Sequence, residues 1–302
     1  MLNAYVAATP EVYPDIDPVT ASIAYDLSKL RSLSADDLEA VTEFLARRPV
    51  HTVVMSSFIA DNGIESELNR GVFYGYFDER CELEGVALIG HSTLIEARSD
   101  RSLRAFALKA RQSRIPINLI MSDDDVAERF FELYAIGQMT PRLKCTELLF
   151  QTDFPFPVQR CDWLIREARP EDLDQVARAQ AEVAFIESGI DPMSRDREGF
   201  MKRCARRIEQ GRVFVVFDGD RLVFKADIIA EASDVIYLEG VYVAPGFRGR
   251  GIGATCLAEV CRRLLGRAMY VCLLSNDEAK HAHRSFANAG LRNTGKCTTL
   301  FV

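Results

Sequence analysis

The chain has 302 residues, 48% hydrophobic and 27% charged, which fits two globular domains of about 150 residues, each with its own core, and excludes a disordered chain. A formal net charge of −7 removes any general attraction for nucleic acid or an anionic membrane. Met1 to Thr20 carries Glu11, Asp15 and Asp17 without the basic start and apolar run of a secretion signal, and no stretch reaches the ~18 apolar residues of a membrane span.

Eight cysteines are scattered with no CxxC pair and no clustered histidines, so the expectation is a reduced, cytoplasmic protein without a metal. In chain order, a capped helical stretch follows Ser34 and carries Asp37, Leu38 and Val41. An apolar run from Gly71 to Phe77 ends at a polar turn, and the strand Ser92 to Glu96 leads into Ala97-Arg98-Ser99-Asp100, which has no glycine. A closing strand holds Lys144-Cys145-Thr146 and Leu148. Gln151 to Asp162, with Pro155 and Pro157, reads as a short, stiff linker.

Beyond it, Asp172 to Ala184 and Arg195 to Glu209 have helical spacing. Val213 to Phe217, Leu222 to Ile229 and Val235 to Val243 alternate or are β-branched and read as strands. Ile252 to Leu265 places Ile252, Cys256, Val260, Cys261 and Leu264 along one helical face. The strand Met269 to Leu274 and a helix from Glu278 to Ala289, stopped by Gly290, complete this half. Strand, helix and strand in succession need a parallel pair, whereas the earlier strands are joined by short turns; the class is therefore α+β with a mixed sheet flanked by helices.

The halves echo each other. Asp37-Leu38 and Val41 match Asp172-Leu173 and Val176. Gly71, Phe77 and Asp78 match Gly211, Phe217 and Asp218, and Lys144-Cys145-Thr146 with Leu148 matches Lys296-Cys297-Thr298 with Leu300. The separations drift only from about 135 to about 152 residues, one domain length, so the chain reads as a tandem duplication, 1–155 and 163–302.

One segment carries chemistry. Leu238-Glu239-Gly240-Val241-Tyr242-Val243-Ala244-Pro245-Gly246-Phe247-Arg248-Gly249-Arg250-Gly251-Ile252-Gly253-Ala254 runs from a strand through a glycine-rich turn into a helix. Without Cβ atoms at Gly249, Gly251 and Gly253 a bulky anion can reach the backbone, and the unpaired N–H groups of the helix's first turn face it. Arg248 and Arg250 add charge suited to phosphate oxygens. A P-loop is excluded because no lysine follows Gly253, and the dinucleotide fingerprint is missed because the glycines run G-x-G-x-G.

With Arg248, Gly251 and Gly253, the segment resembles the Arg/Gln-x-x-Gly-x-Gly/Ala signature of the Gcn5-related N-acetyltransferase superfamily. It follows a Val-Tyr-Val-Ala-Pro strand end and precedes Leu274-Ser275-Asn276 and a helix ending Phe286-Ala287-Asn288-Ala289-Gly290. The resemblance covers the C-terminal ~140 residues and implies an acyl-CoA N-acyltransferase fold. It implies that acetyl-CoA binds once per chain and donates its acetyl group to the amine of a small molecule or peptide. Backbone groups of Val241, Tyr242 and Val243 would meet pantetheine. Arg248, Gly249, Arg250, Gly251, Ile252, Gly253 and Ala254 would hold the pyrophosphate. Asn276 would either touch the cofactor or cap a helix.

Glu239, two residues before Val241, is either the base that deprotonates the amine or a salt-bridged strand-end carboxylate. Where the family often has a tyrosine acid this chain has Phe286, with His283 one turn earlier as a substitute or a solvated side chain. Glu187, flanked by Glu182 and Asp191, would form an acidic acceptor mouth between the first two helices, or a solvated loop. The N-terminal half, lacking the glycines, resembles the degenerate first domain of tandem acetyltransferases. The alternative to an enzyme is a non-catalytic acetyl-CoA-binding regulatory module.

Overall fold

The computed structural model describes residues 27–123, 125–154 and 160–302. Met1 to Thr20 and the linker prolines Pro155 and Pro157 lie outside them, while Gln151 and Thr152, read above as linker, are the last residues of a strand.

The N-terminal half runs β1 (Leu30–Ser32), α1 (Leu38–Ala46), α2 (Pro49–Asn62), β2 (Gly71–Phe77), β3 (Leu83–Gly90), β4 (Ser92–Ala97), α3 (Asp100–Arg111), β5 (Leu119–Asp123), α4 (Val126–Ala135) and β6 (Leu143–Thr152). The C-terminal half repeats that order. It has β7 (Arg166–Glu167), α5 (Leu173–Ser188), α6 (Pro192–Arg195) and α7 (Arg197–Glu209) in place of one helix, β8 (Val213–Asp218), β9 (Arg221–Glu231), β10 (Val235–Val243), α8 (Ile252–Leu264), β11 (Tyr270–Asn276), α9 (Lys280–Asn288) and β12 (Arg292–Phe301). The helix expected from Arg195 is thus two, broken at Asp196, whose carboxylate caps α7 through the Gly199 N–H.

The repeated residues have a shared mechanical role. Arg31 grips Asp37 through two bonds of 2.7 and 2.6 Å, and Arg166 grips Asp172 through bonds of 2.6 and 3.0 Å. Each aspartate also accepts a backbone N–H at the helix entry, from Ser34 and Arg169 respectively. Each arginine then lies over a phenylalanine ring, Phe77 at 4.4 Å and Phe217 at 5.0 Å. The Asp-Leu and Phe echoes are therefore one clasp, made twice, that ties the first helix to the end of β2 or β8.

All twelve strands form one sheet in the order β1-β2-β3-β4-β5-β12-β6-β11-β10-β9-β8-β7. β4–β5 and β10–β11 are parallel and the other pairs antiparallel. The closing strands are exchanged: β6 pairs with β11 of the other half, and β12 pairs with β5. They also pair with each other about Thr146↔Thr298, flanked symmetrically by Lys144↔Leu300 and Leu148↔Lys296, which are the residues that echo in sequence.

Alternation along these strands divides the core between two faces. Val271 and Leu273 of β11, with Phe150 of β6, pack under α8 and α9. On the opposite face Leu149 of β6, Tyr237 of β10 and Cys272 of β11 pack against Val53 of α2, so a helix of the first half covers the sheet of the second. Asp61 of α2 adds a two-bond pair to Arg212, both 2.9 Å. Among the described residues no helix is long and apolar enough to cross a membrane.

Candidate active site

β10 and β11 pair from Val235↔Tyr270 to Leu238↔Leu273 and then separate, although they continue to Val243 and Asn276. A bulge causes the parting. Against β9 the register of β10 jumps from Glu239↔Asp227 to Tyr242↔Lys225, which turns the strand away from its parallel neighbour. Gly240 makes the turn at φ +60°, and a Cβ there would lie 2.4 Å from Gln180 Oε1 and 2.8 Å from Lys225 Nζ.

The bulge rests on a buried charge network. Lys225 Nζ donates to Gly240 O at 3.1 Å, Gln180 Oε1 at 2.7 Å and Asp227 Oδ1 at 2.7 Å, and Arg207 donates to Asp227 Oδ2 at 2.9 Å. Burial draws the Lys225 ammonium below its usual range while Asp227 pulls it back up. All three ammonium protons have acceptors, so the charge can sit in the core and satisfy a carbonyl that the bulge removes from the sheet.

Past the gap, the chain reaches α8 through Gly249 at φ +76° and Gly251 at φ +79°. No heavy atom lies within 4 Å of a Cβ built at either, so the turn presents open backbone. Gly251 is the N-cap of α8 and no side chain caps it, which leaves the first-turn N–H groups and the positive end of the helix facing that opening. Gly253 and Ala254 follow in the first turn, with Val243 3.1 Å from the Cβ position of Gly253.

The arginines differ from expectation. Arg248 folds back, donating Nε to Val243 O at 2.8 Å and pairing with Glu182 at 2.9 Å. Its guanidinium is thereby engaged, as is the Val243 carbonyl assigned above to pantetheine. Arg250 lies over the Phe247 ring at 5.7 Å. The side chain of Asn276 accepts the Glu278 N–H at 2.9 Å, a turn contact ahead of α9, whose N-cap is Ala279.

On the α2 face of the sheet three carboxylates approach one another. Glu239 is the first residue past the paired part of β10 and accepts the Tyr237 hydroxyl at 2.8 Å. Tyr237 is buried, and burial with the charges of Glu239 and Glu147 raises its phenol well above the usual value, so it stays a donor. Glu147 of β6 lies opposite Asn276 of β11 and accepts the Thr299 hydroxyl at 2.7 Å. Burial and the charge of Glu239 push the Glu147 carboxyl up to about 7, against the pull of Thr299.

Glu187 lies in the last turn of α5, not in a loop between helices. Glu187 is exposed at the surface; crowding by neighbouring atoms and the charges of Glu239 and Glu147 push its carboxyl up, and solvent screens that effect. The acidic mouth therefore has different members from those expected: Glu182 is paired with Arg248, and Asp191 caps α6 through the Met193 N–H. Glu147 was missed because it belongs to the first half of the chain and arrives through strand exchange.

Phe286 is buried and packs edge-on to Phe150 at 5.4 Å, and His283 meets Asn276 O through Nε2 at 2.9 Å and stands beside Phe150. In the N-terminal half β4 and β5 likewise stop pairing after Leu94↔Met121, but side chains bridge the gap. Arg48 bridges Glu96 at the end of β4 and Asp123 at the end of β5, and Ser99 caps α3 by accepting the Ser102 N–H.

Residues 173–287 match the profile of the Acetyltransferase (GNAT) family. The C-terminal half is a GNAT-family domain. Solved structures extend the likeness to both halves. A Drosophila protein superposes with a TM-score of 0.68 at 12% identity, covering 91% of this chain and 98% of that one. A GCN5-related N-acetyltransferase from Sphaerobacter thermophilus gives 0.56 at 14%, covering 90% and 94%. A tandem GNAT protein from the clavulanic acid biosynthesis pathway gives 0.52 at 10%, covering 90% and 97%. At these identities the shared property is the fold: two acyltransferase units in tandem. No curated protein sequence matches the chain.

Proposed function

We propose that the GNAT domain, residues 163–302, transfers an acetyl group from acetyl-CoA to a primary amine of a small molecule or peptide by direct attack in the cytoplasm, and that residues 1–155 are a structural and substrate-shaping half. The observation that carries this reading is the parting of β10 from β11 beside an uncapped helix N-terminus. The open backbone at Gly249 and Gly251 fits a diphosphate, with the N–H groups of Gly249 to Ala254 as its donors. Past Leu238 the edge of β10 that faced β11 is no longer paired with it, and the backbone at Val241 and Tyr242 fits the amides of pantetheine, with Asn276 at the facing strand end.

A cationic amine is drawn to the carboxylates on the α2 face and must lose a proton before it attacks. Glu239, at the mouth of the gap, receives that proton, and Glu187 lines the entrance as a contact for the acceptor. Acetyl-CoA supplies the acyl group and a thiolate leaving group, whose thiol has a pKa of ~8.5, so departure near neutrality needs no strong acid. Buried Phe286 offers none. The second reading, acetyl-CoA binding without transfer, is favoured by that same Phe286. Glu239→Gln separates the two: turnover should fall by about 10² or more with acetyl-CoA affinity kept. Full activity across the pH range would place the base elsewhere.

A further inference from the structure

The N-terminal half does not only buttress the sheet. Its closing strand β6 stands between β11 and β12, so a residue from the first half lies one strand from the gap at which β10 and β11 part. β6 and β11 remain in register through Glu147↔Asn276, the last residue of β11, so β6 extends the floor of the cleft past the point where β10 has left. Alternation puts Cys145, Glu147 and Leu149 on one face of β6, and Leu149 packs with Tyr237 and Cys272 on the α2 face. Glu147 thus shares the face on which Tyr237 holds Glu239.

We infer that Glu147, carried into the cleft by strand exchange, is a catalytic residue of the acetyl transfer proposed above, contacting the incoming ammonium and sharing its proton with Glu239. This inference rests on that reading of the cleft. The groups facing Glu147 are Thr299 on β12, which fixes Oε2 at 2.7 Å, Glu239 and Tyr237 on β10, Glu187 on α5 and Cys145 on its own strand. Among the described residues none of these is a cation, and Lys225, the nearest buried ammonium, is committed to Gln180, Asp227 and Gly240. Burial and the neighbouring charge of Glu239 raise the Glu147 carboxyl to about 7, so Glu147 is able to hold a proton near neutrality.

The proton balance is simple. The acceptor enters as R–NH3+ and passes one proton to the ionised carboxylate of the pair, and the free amine attacks the thioester carbonyl. The C–S bond breaks, the thiolate departs, and the second nitrogen proton leaves to that thiolate or to water as the amide forms. The first half of the chain then contributes to acceptor choice, which explains why a half without a cofactor cradle keeps its closing strand inside the partner sheet.

The test uses the full chain, acetyl-CoA and a panel of primary amines, with thiol release as readout. For Glu147→Gln we expect unchanged acetyl-CoA affinity and a fall of about tenfold or more in kcat/KM. The limb of the pH–rate profile near pH 7 should be lost, because the Glu147 carboxyl whose ionisation sets it is gone. Glu147→Asp should recover part of the rate, and Thr299→Val should shift the profile without abolishing transfer. A Glu147→Gln protein that matches the parent in rate and profile overturns the role of Glu147 while leaving acetyl transfer standing. A parent that acetylates no amine overturns both.

Discussion

Gly240→Ala probes the device that opens the cleft. The native φ of +60° costs any Cβ-bearing residue about 1–2 kcal/mol. The new methyl would also sit 2.4 Å from Gln180 Oε1 and 2.8 Å from Lys225 Nζ, so at least one bond of the fully buried ammonium must lengthen. A hydrogen bond to a charged group contributes about 1.5–3 kcal/mol, and since both atoms are ends of flexible side chains the lower part of that range applies. The sum is a destabilisation of about 2–4 kcal/mol, read as a lower urea midpoint at constant m. Gly249→Ala is the control: at φ +76° with open space around it, it should lose only the backbone contribution of about 1–2 kcal/mol. Acetyl-CoA affinity of Gly240→Ala should also fall about tenfold, or 1.4 kcal/mol, as the strand edge shifts. If Gly240→Ala is no less stable than Gly249→Ala and binds acetyl-CoA as the parent does, the bulge does not set the cleft.

Gly251→Val places a branched side chain where a diphosphate must meet backbone; titration should show at least about a tenfold loss of acetyl-CoA affinity with far-ultraviolet dichroism preserved. Glu147→Gln has a signature in stability as well as in rate. A carboxyl raised to about 7 in the folded protein stabilises it fully below the unfolded value of ~4.3, and that stabilisation is lost as pH rises through about 7. Gln mimics the protonated form, so the melting temperature should match the parent below about pH 4 and exceed it by a few degrees at pH 8.5; parallel curves would show that Glu147 is solvated.

The strands, the glycine turn and the mixed sheet were legible because each rests on local signals. Val235 to Val243 alternates as a strand, and the glycines before Ile252 mark a turn whose conformation only glycine adopts easily. The Asp37/Asp172 and Phe77/Phe217 echoes reported the clasp they build. Strand exchange left no such mark. β6 and β12 carry the same Lys-Cys-Thr sequence, so either can satisfy either neighbour, and repetition reports that two strands are equivalent without reporting which half each joins. Glu147 was hidden for that reason. The Lys225–Asp227 network had a visible cue, two opposite charges at alternate positions within the apolar strand Leu222 to Ile229, but its purpose depends on Gly240 across the sheet. The pairing of Arg248 with Glu182 was not legible, because the signature gives the position of the arginine and not its rotamer.

The central claim is that this cleft moves an acyl group and does not merely hold the donor. The direct measurement is thiol release from acetyl-CoA by the full chain over a panel of primary amines, with mass analysis of each acceptor. The account predicts release that requires an amine, equals the acetyl groups gained by it, and disappears in Gly251→Val. Saturable binding of acetyl-CoA with no amine-dependent thiol release for any acceptor would contradict it and leave the chain an acetyl-CoA-binding module.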